Sequence, residues 1–428
     1  MTLIIFVGSL LLAMAIGIPI SFALLVSGVA LMWHLDMFEA QILAQNLLGG
    51  ADNYPLLAVP FFLLAGEIMN EGGLSRRIVD FAMALVGHIR GGLGYVTIVA
   101  SILLSALSGS AVADAAALTT MLLPMMVAAG HAPHRAAGLI AASGVIAPVI
   151  PPSIGLVIFG VTANVSISKL FMAGIAPGLL MGLALWVTWA YVARNEGAVP
   201  PPRKPLKELL TTMRQCGWAL MLPVIILVGL RMGVFTPTEA GVVAAVYALF
   251  VSTVIYRGLK LSQLYRIFEK AAKTTAVVMF LVAAAMVSAW LITVADLPGK
   301  VVGMLQPFLD SPILLMMAIM VLVMVVGTAM DMTPTILILT PVLMPVIVAA
   351  KIDPVYFGVL FIMNNAIGLV TPPVGVVLNV VAGVGRMSMD TVTKGVLPFM
   401  IAQFLIMFLM VLFPWLVTGP AKLFHGGP

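Results

Sequence analysis

Two proline pairs, Pro151-Pro152 and Pro372-Pro373, interrupt apolar stretches long enough to cross a bilayer. Each pair is preceded by another interrupted stretch, SALSGSAVADAAALTTMLLP in the first half and VVGTAMDMTPTILILTPVLMP in the second. A helix broken at membrane depth exposes N–H groups on one side and C=O groups on the other. Protein, ion or ligand must satisfy them. Carbonyl ends suit Na⁺, a hard cation that prefers oxygen, and N–H ends carry partial positive charge that suits a carboxylate. Small residues let backbones approach, and prolines remove donors and expose carbonyls.

In the first half the expected Na⁺ ligands are Ser105, Ser108, Gly109 and Ser110 at the tip, with Ile150 and Pro151 at the break. Pro152 and Ser153 are the expected substrate contacts there. In the second half the expected Na⁺ ligands are Gly327, Thr328, Asp331, Gly368 and Thr371. Thr335, Asn365, Pro372 and Pro373 are the substrate contacts on that side. Bland readings stand beside these. Ser105 could bond back within its helix, a frequent habit of membrane serines. Asp114 and Asp331 are ionisable groups inside apolar sequence, yet either could cap the helix that follows. Glu67 reads as a solvated helix end. Asn364 and Asn365 align with Ser143 and Gly144 and so face the same interface.

The elements that hold these residues repeat. Pro345 follows Pro124, Pro354 follows Pro133, and Pro372-Pro373 follows Pro151-Pro152, each at an offset of 221 residues. The first repeat is read as residues 1–198, with scaffold spans over 2–90, a hairpin over 92–130 and a broken helix over 134–164. A basic linker follows over 199–216. The second repeat, 217–428, carries scaffold spans over 217–300, a hairpin over 312–350, a broken helix over 355–385 and a last span over 396–417. Within it an arm at 259–272 is expected apart from a span at 275–294. Basic loops around 194–214 and 257–273 lie two spans apart, on one side, and the positive-inside rule makes that side cytoplasmic. The hairpins then enter from opposite faces, an inverted-topology repeat. Both termini lie outside if 2–33 is two spans; the N-terminus lies inside if it is one kinked helix.

Composition agrees. Of 428 residues 62% are hydrophobic and 9% charged, and mean hydropathy is +1.18. That is an all-α polytopic membrane protein, because the apolar runs do not alternate as barrel strands do. The single cysteine, Cys216, supports no disulfide framework. A net charge of +5 concentrated in loops does not suggest nucleic acid. There is no phosphate loop, which argues against direct ATP coupling. The histidines are scattered, and no nucleophile, base and metal set suggests an enzyme. No cofactor is expected beyond Na⁺ as coupling ion.

LLAVPFFLLAGEIMNEGGLSRRIVDFAMALVG, SALSGSAVADAAALTTMLLPMM, GVIAPVIPPSIGLVIFG and GLVTPPVGVVLNVV together resemble the large membrane subunit of tripartite ATP-independent periplasmic (TRAP) transporters. The resemblance runs from Ile4 to Trp415. Sodium–dicarboxylate symporters of the wider ion transporter superfamily share the pattern but usually carry Ser-Asn-Thr at both tips. Here the tips read Ser108-Gly109-Ser110 and Gly327-Thr328-Ala329, which fits the tripartite branch. The resemblance implies Na⁺-coupled, elevator-type import of an organic acid such as a C4-dicarboxylate or sialic acid across the bacterial or archaeal inner membrane. It also implies a soluble periplasmic binding protein and a small four-helix membrane subunit. The first span opens at residue 2, so that subunit is expected as a separate chain. The rival is a stand-alone sodium-coupled di/tricarboxylate symporter without a binding protein.

Overall fold

The computed structural model describes residues 2–195, 197, 200–309 and 311–425, and its described secondary structure is entirely helical. The first half holds α1 (Thr2–Ala15), α2 (Ile20–His34), α3 (Ala40–Ala51), α4 (Ala58–Glu71), α5 (Leu74–Val86), α6 (Gly92–Ser108), α7 (Ala111–Ala128), α8 (Pro133–Gly144), α9 (Ile154–Thr162) and α10 (Ile167–Val192). The second holds α11 (Leu206–Arg231), α12 (Pro237–Phe250), α13 (Leu261–Val294), α14 (Leu297–Leu309), α15 (Pro312–Gly327), α16 (Met332–Ala349), α17 (Pro354–Gly368), α18 (Val376–Gly385), α19 (Met389–Leu412) and α20 (Trp415–His425). Among the described residues seven helices are long and apolar enough to cross a membrane. The chain is a multi-pass membrane protein.

The sequence offset reappears in the helices. α7 and α16 start 221 residues apart, as do α8 and α17. α6 and α7 form one hairpin, and α15 and α16 the other. α8 with α9, and α17 with α18, are the two interrupted helices.

Three expectations change. α13 runs unbroken for 34 residues, so no arm separates from its span. The matching stretch of the first half bends by 52° between α3 and α4, where Asp52-Asn53 and Pro55 interrupt it. α13 holds neither proline nor glycine. The linker expected at 199–216 is helical from Leu206 onward, with Lys204 Nζ 2.5 Å from Glu208 Oε1 across its first turn. Its first position, Val199, lies outside the described residues. The last span is Met389–Leu412 and not 396–417, because Pro414 interrupts the chain before α20. As expected, 2–34 is two helices and not one kinked one: α1 and α2 pack on each other across a turn at Gly17 (φ +86°).

Two groups of helices emerge from the packing. α4 lies on α12, α13 on α2, α3 and α4, and α11 on α5. The hairpins and broken helices pack with α10 and α19: α8 on α19, α15 on α17. The α8–α19 crossing is backbone on backbone, since a Cβ at Gly395 would fall 1.7 Å from His134 O. The base of the first hairpin is closed by Trp189. It is fully buried, its Nε1 donates to Gly91 O at 2.8 Å, and its ring fills the space beside Gly94. Trp189→Phe keeps a ring but removes this hydrogen bond and the indole volume packed beside Gly94, leaving Gly91 O with Gly94 N at 3.0 Å. It is expected to lower stability by roughly 1–3 kcal/mol, measured as an earlier thermal unfolding transition in detergent.

Candidate functional site

The first tip is built by local rules. α6 ends at Ser108, and Gly109 turns the chain at φ +60°, a left-handed conformation that costs glycine little. Ser110 caps α7 by accepting from Ala113 N at 3.4 Å. Gly109 faces the break directly: a Cβ there would fall 2.5 Å from Pro152 O and 3.3 Å from Ser153 Cα. At the break, Ser153 caps α9 by accepting from Leu156 N at 3.3 Å and donates to Pro148 O at 2.5 Å. The Pro151-Pro152 and Pro372-Pro373 bonds are both cis. The structure thus brings Gly109 against Pro152-Ser153.

The second tip uses different atoms. α15 ends at Gly327, whose backbone abuts Gly368 at the end of α17. A Cβ at Gly368 would fall 2.9 Å from Gly327 O, and one at Gly327 would fall 3.8 Å from Asn365 Oδ1. Asn365 Nδ2 donates to Phe361 O at 3.0 Å, while its Oδ1 is buried without a hydrogen-bond partner among the described residues. Asn364 repeats this one residue earlier, with Nδ2 donating to Met320 O at 2.6 Å and Oδ1 unpartnered. Its 221-residue counterpart, Ser143, also has an unpartnered Oγ.

Several hydroxyls are engaged within their own helices. Ser105 Oγ donates to Ser101 O at 2.6 Å, Thr328 Oγ1 to Val325 O at 2.7 Å, Thr335 Oγ1 to Asp331 O at 2.8 Å and Thr371 Oγ1 to Ile367 O at 2.9 Å. Each hydroxyl keeps lone pairs for a cation, but none points to one by geometry alone. Asp331 is exposed and caps α16 through Oδ1 to Met332 N at 2.8 Å.

Asp114 is the residue the sequence reading left out of the ligand set. It is buried, its Oδ1 accepts from Ser108 Oγ at 2.5 Å, and its Oδ2 has no partner among the described residues. The sequence signal was present: it is the acid in the first turn of α7, inside apolar sequence. Among the described residues no three His, Cys, Asp or Glu side chains gather as a transition-metal site would need.

The halves interlock at the tips. Gly155, in the first turn of α9, packs on Met332 at the start of α16: a Cβ there would lie 3.0 Å from its Cε. α18 packs in turn on α7. The starts of α9 and α16 thus meet across the halves, while α18 has Gly375 at its N-cap with no side-chain acceptor. The halves differ in cover. Residues 145–153 are all buried, whereas Ala329, Asp331, Pro373 and Val374 are exposed. Gly66 of α4 faces Ser108, so the first tip rests against the other helix group.

Broken helices, paired hairpins and an inverted repeat define a secondary transporter fold. The solved structure described as the Alcanivorax borkumensis YdaH transporter with an unusual topology shares it, with a TM-score of 0.63 at 16% identity over 88% of each chain. Residues 7–416 match the family "Tripartite ATP-independent periplasmic transporter, DctM component". The chain belongs to this family of TRAP transporter large permease subunits. It is 56% identical over 422 residues, 99% of each chain, to the 2,3-diketo-L-gulonate TRAP transporter large permease protein YiaN of Escherichia coli. It is 40% identical over 410 residues, 96% of each chain, to the sialic acid TRAP transporter large permease protein SiaM of Vibrio cholerae.

Proposed function

We propose that this chain carries an organic acid anion inward across the bacterial inner membrane by Na⁺ symport. One observation supports the reading above the others: each tip meets its break through a glycine. Gly109 faces Pro152 O, and Gly368 faces Gly327 O. With no side chain between them the two backbones close on each other, which gathers carbonyl oxygens of tip and break in one neighbourhood, as the oxygen ligands of a hard cation must be. Asn365 Oδ1, buried and unpartnered beside Gly327, fits the same role. In this proposal Gly109, Ser110 and Ile150–Pro151 serve one Na⁺, with Ser108 held ready by Asp114. Gly327, Gly368, Asn365 and Thr371 serve another. The uncapped start of α18 and the Ser153-capped start of α9 offer N–H groups and dipole ends to the carboxylate. Bound cations lower the cost of holding that anion at membrane depth, which links the two fluxes.

The substrate class follows the relatives, whose names specify diketogulonate and sialic acid, both sugar-derived acids. The proposed partners are a small membrane subunit and a periplasmic binding protein that loads the site. Reconstituted with both, the chain should take up substrate only under an inward Na⁺ gradient, and replacing Na⁺ with K⁺ should reduce uptake to background. Uptake unchanged in K⁺ would end the coupling reading. Transport by the purified chain alone would favour the self-sufficient symporter.

A further inference from the structure

A cavity of about 630 Å³ opens where the end of α10, the start of α8 and the first turns of α19 meet. His134, Arg135, Tyr191, Arg194, Lys394 and Pro398 line it. Arg135 Nη1 donates to Val192 O at 3.2 Å, and Arg90 Nη2 donates to Arg194 O at 3.0 Å, closing carbonyls at the end of α10. Lys394 Nζ meets Asp390 Oδ2 at 2.7 Å with both side chains largely in solvent. The start of α8 adds to the positive field, since its N-cap residue, Ala132, supplies no side-chain acceptor.

Charge of this kind suits any oxyanion. The surface above the cavity narrows the choice. On α10, Leu179, Leu183, Val187 and Tyr191 are exposed at every fourth position, and on α19 so are Leu397, Ile401, Leu405 and Leu409. Residues four apart share a helix face. α10 and α19 pack on each other, and their apolar stripes end at the cavity, one at Tyr191 and the other beside Pro398 and Lys394. Tyr191, 80% exposed and three residues before Arg194, has the composition of a membrane-interface anchor.

We propose that this cavity and the α10–α19 seam bind one anionic phospholipid. Its phosphate lies among Arg194, Lys394 and His134, and its acyl chains follow the two leucine-rich stripes. The basic groups sit at the cytoplasmic end of both helices in the orientation set by the loop charges.

Native mass spectrometry of the purified full-length protein tests this, with phosphatidylglycerol titrated against phosphatidylcholine of the same acyl chains. Wild type should retain phosphatidylglycerol roughly twenty-five-fold better, because Arg194 and Lys394 near a headgroup are each worth about fivefold. Arg194→Gln with Lys394→Gln should bring the two lipids to near parity while leaving thermal unfolding in phosphatidylcholine unchanged. Val187→Asn, which puts an amide in the acyl lane, should weaken phosphatidylglycerol retention with the cations intact. Equal retention by wild type and the double variant overturns the site. Full displacement by millimolar inorganic phosphate, with Val187→Asn silent, would identify a soluble phosphate site and overturn the lipid.

Discussion

Gly109→Ala should cut Na⁺-dependent uptake by about a hundredfold. Two costs add at this position. The left-handed backbone at φ +60° is worth about 1–2 kcal/mol against alanine. The new Cβ would also stand 2.5 Å from Pro152 O, a backbone atom that cannot swing away as a side-chain end would. Relieving such overlap costs typically 1–3 kcal/mol. The tip must therefore lift off its break, which separates the oxygens proposed to share a cation. Gly383→Ala in α18 is the control, because nothing lies within 4 Å of a Cβ there. Uptake against Na⁺ concentration in proteoliposomes reads the effect. A loss of less than threefold in Gly109→Ala, with the control normal, would contradict the tip-and-break contact.

The second large effect is expected at Asp114. Its Oδ1 accepts from Ser108 Oγ at 2.5 Å in a buried setting. Leaving a buried hydroxyl without its acceptor costs roughly 1–3 kcal/mol. Asp114→Ala removes the acceptor and leaves Ser108 Oγ held only by Ser110 N at 3.2 Å, so uptake should fall by tenfold to a hundredfold. Asp114→Asn keeps an oxygen for Ser108 but not the charge. Its half-saturating Na⁺ concentration should rise roughly tenfold if the carboxylate also serves the cation, an effect of about 1.4 kcal/mol. Wild-type Na⁺ dependence in Asp114→Asn would reduce Asp114 to a positioning residue for Ser108. Wild-type uptake in Asp114→Ala would remove it from the site altogether.

These residues show what could be read from the chain. The Pro-Pro pairs and the repeated offset marked the interrupted helices, because proline and glycine act on the backbone wherever they occur. Helix starts followed for the same reason: α7, α8, α16 and α17 keep the offset of their prolines. The pairing of Ser108 with Asp114 was harder to see. It crosses a chain reversal at Gly109, so no helical periodicity links the two residues. The back-bonding of Ser105, Thr328, Thr335 and Thr371 depends on rotamers, to which sequence is silent. The second contact does not mirror the first. Gly327 meets Gly368, whereas the 221-residue counterpart of Gly368 is Ala147, and Gly109 instead reaches Pro152. The unlike residues of the two tips implied sites with different ligands, but not where each tip would come closest to its break. The exposure of Ala329, Asp331 and Pro373, against the burial of 145–153, was equally invisible, because it depends on how the two helix groups are set against each other.

A cryo-EM map of the reconstituted protein in Na⁺, compared with one in K⁺ alone, tests the two cation sites most directly. Density is expected between Gly109 and the Ile150–Pro152 carbonyls, and between Gly327, Asn365 and Gly368, in Na⁺ only. Maps lacking density at both places in Na⁺, at a resolution that reveals backbone carbonyls, would contradict the assignment of these crossings as the coupling sites.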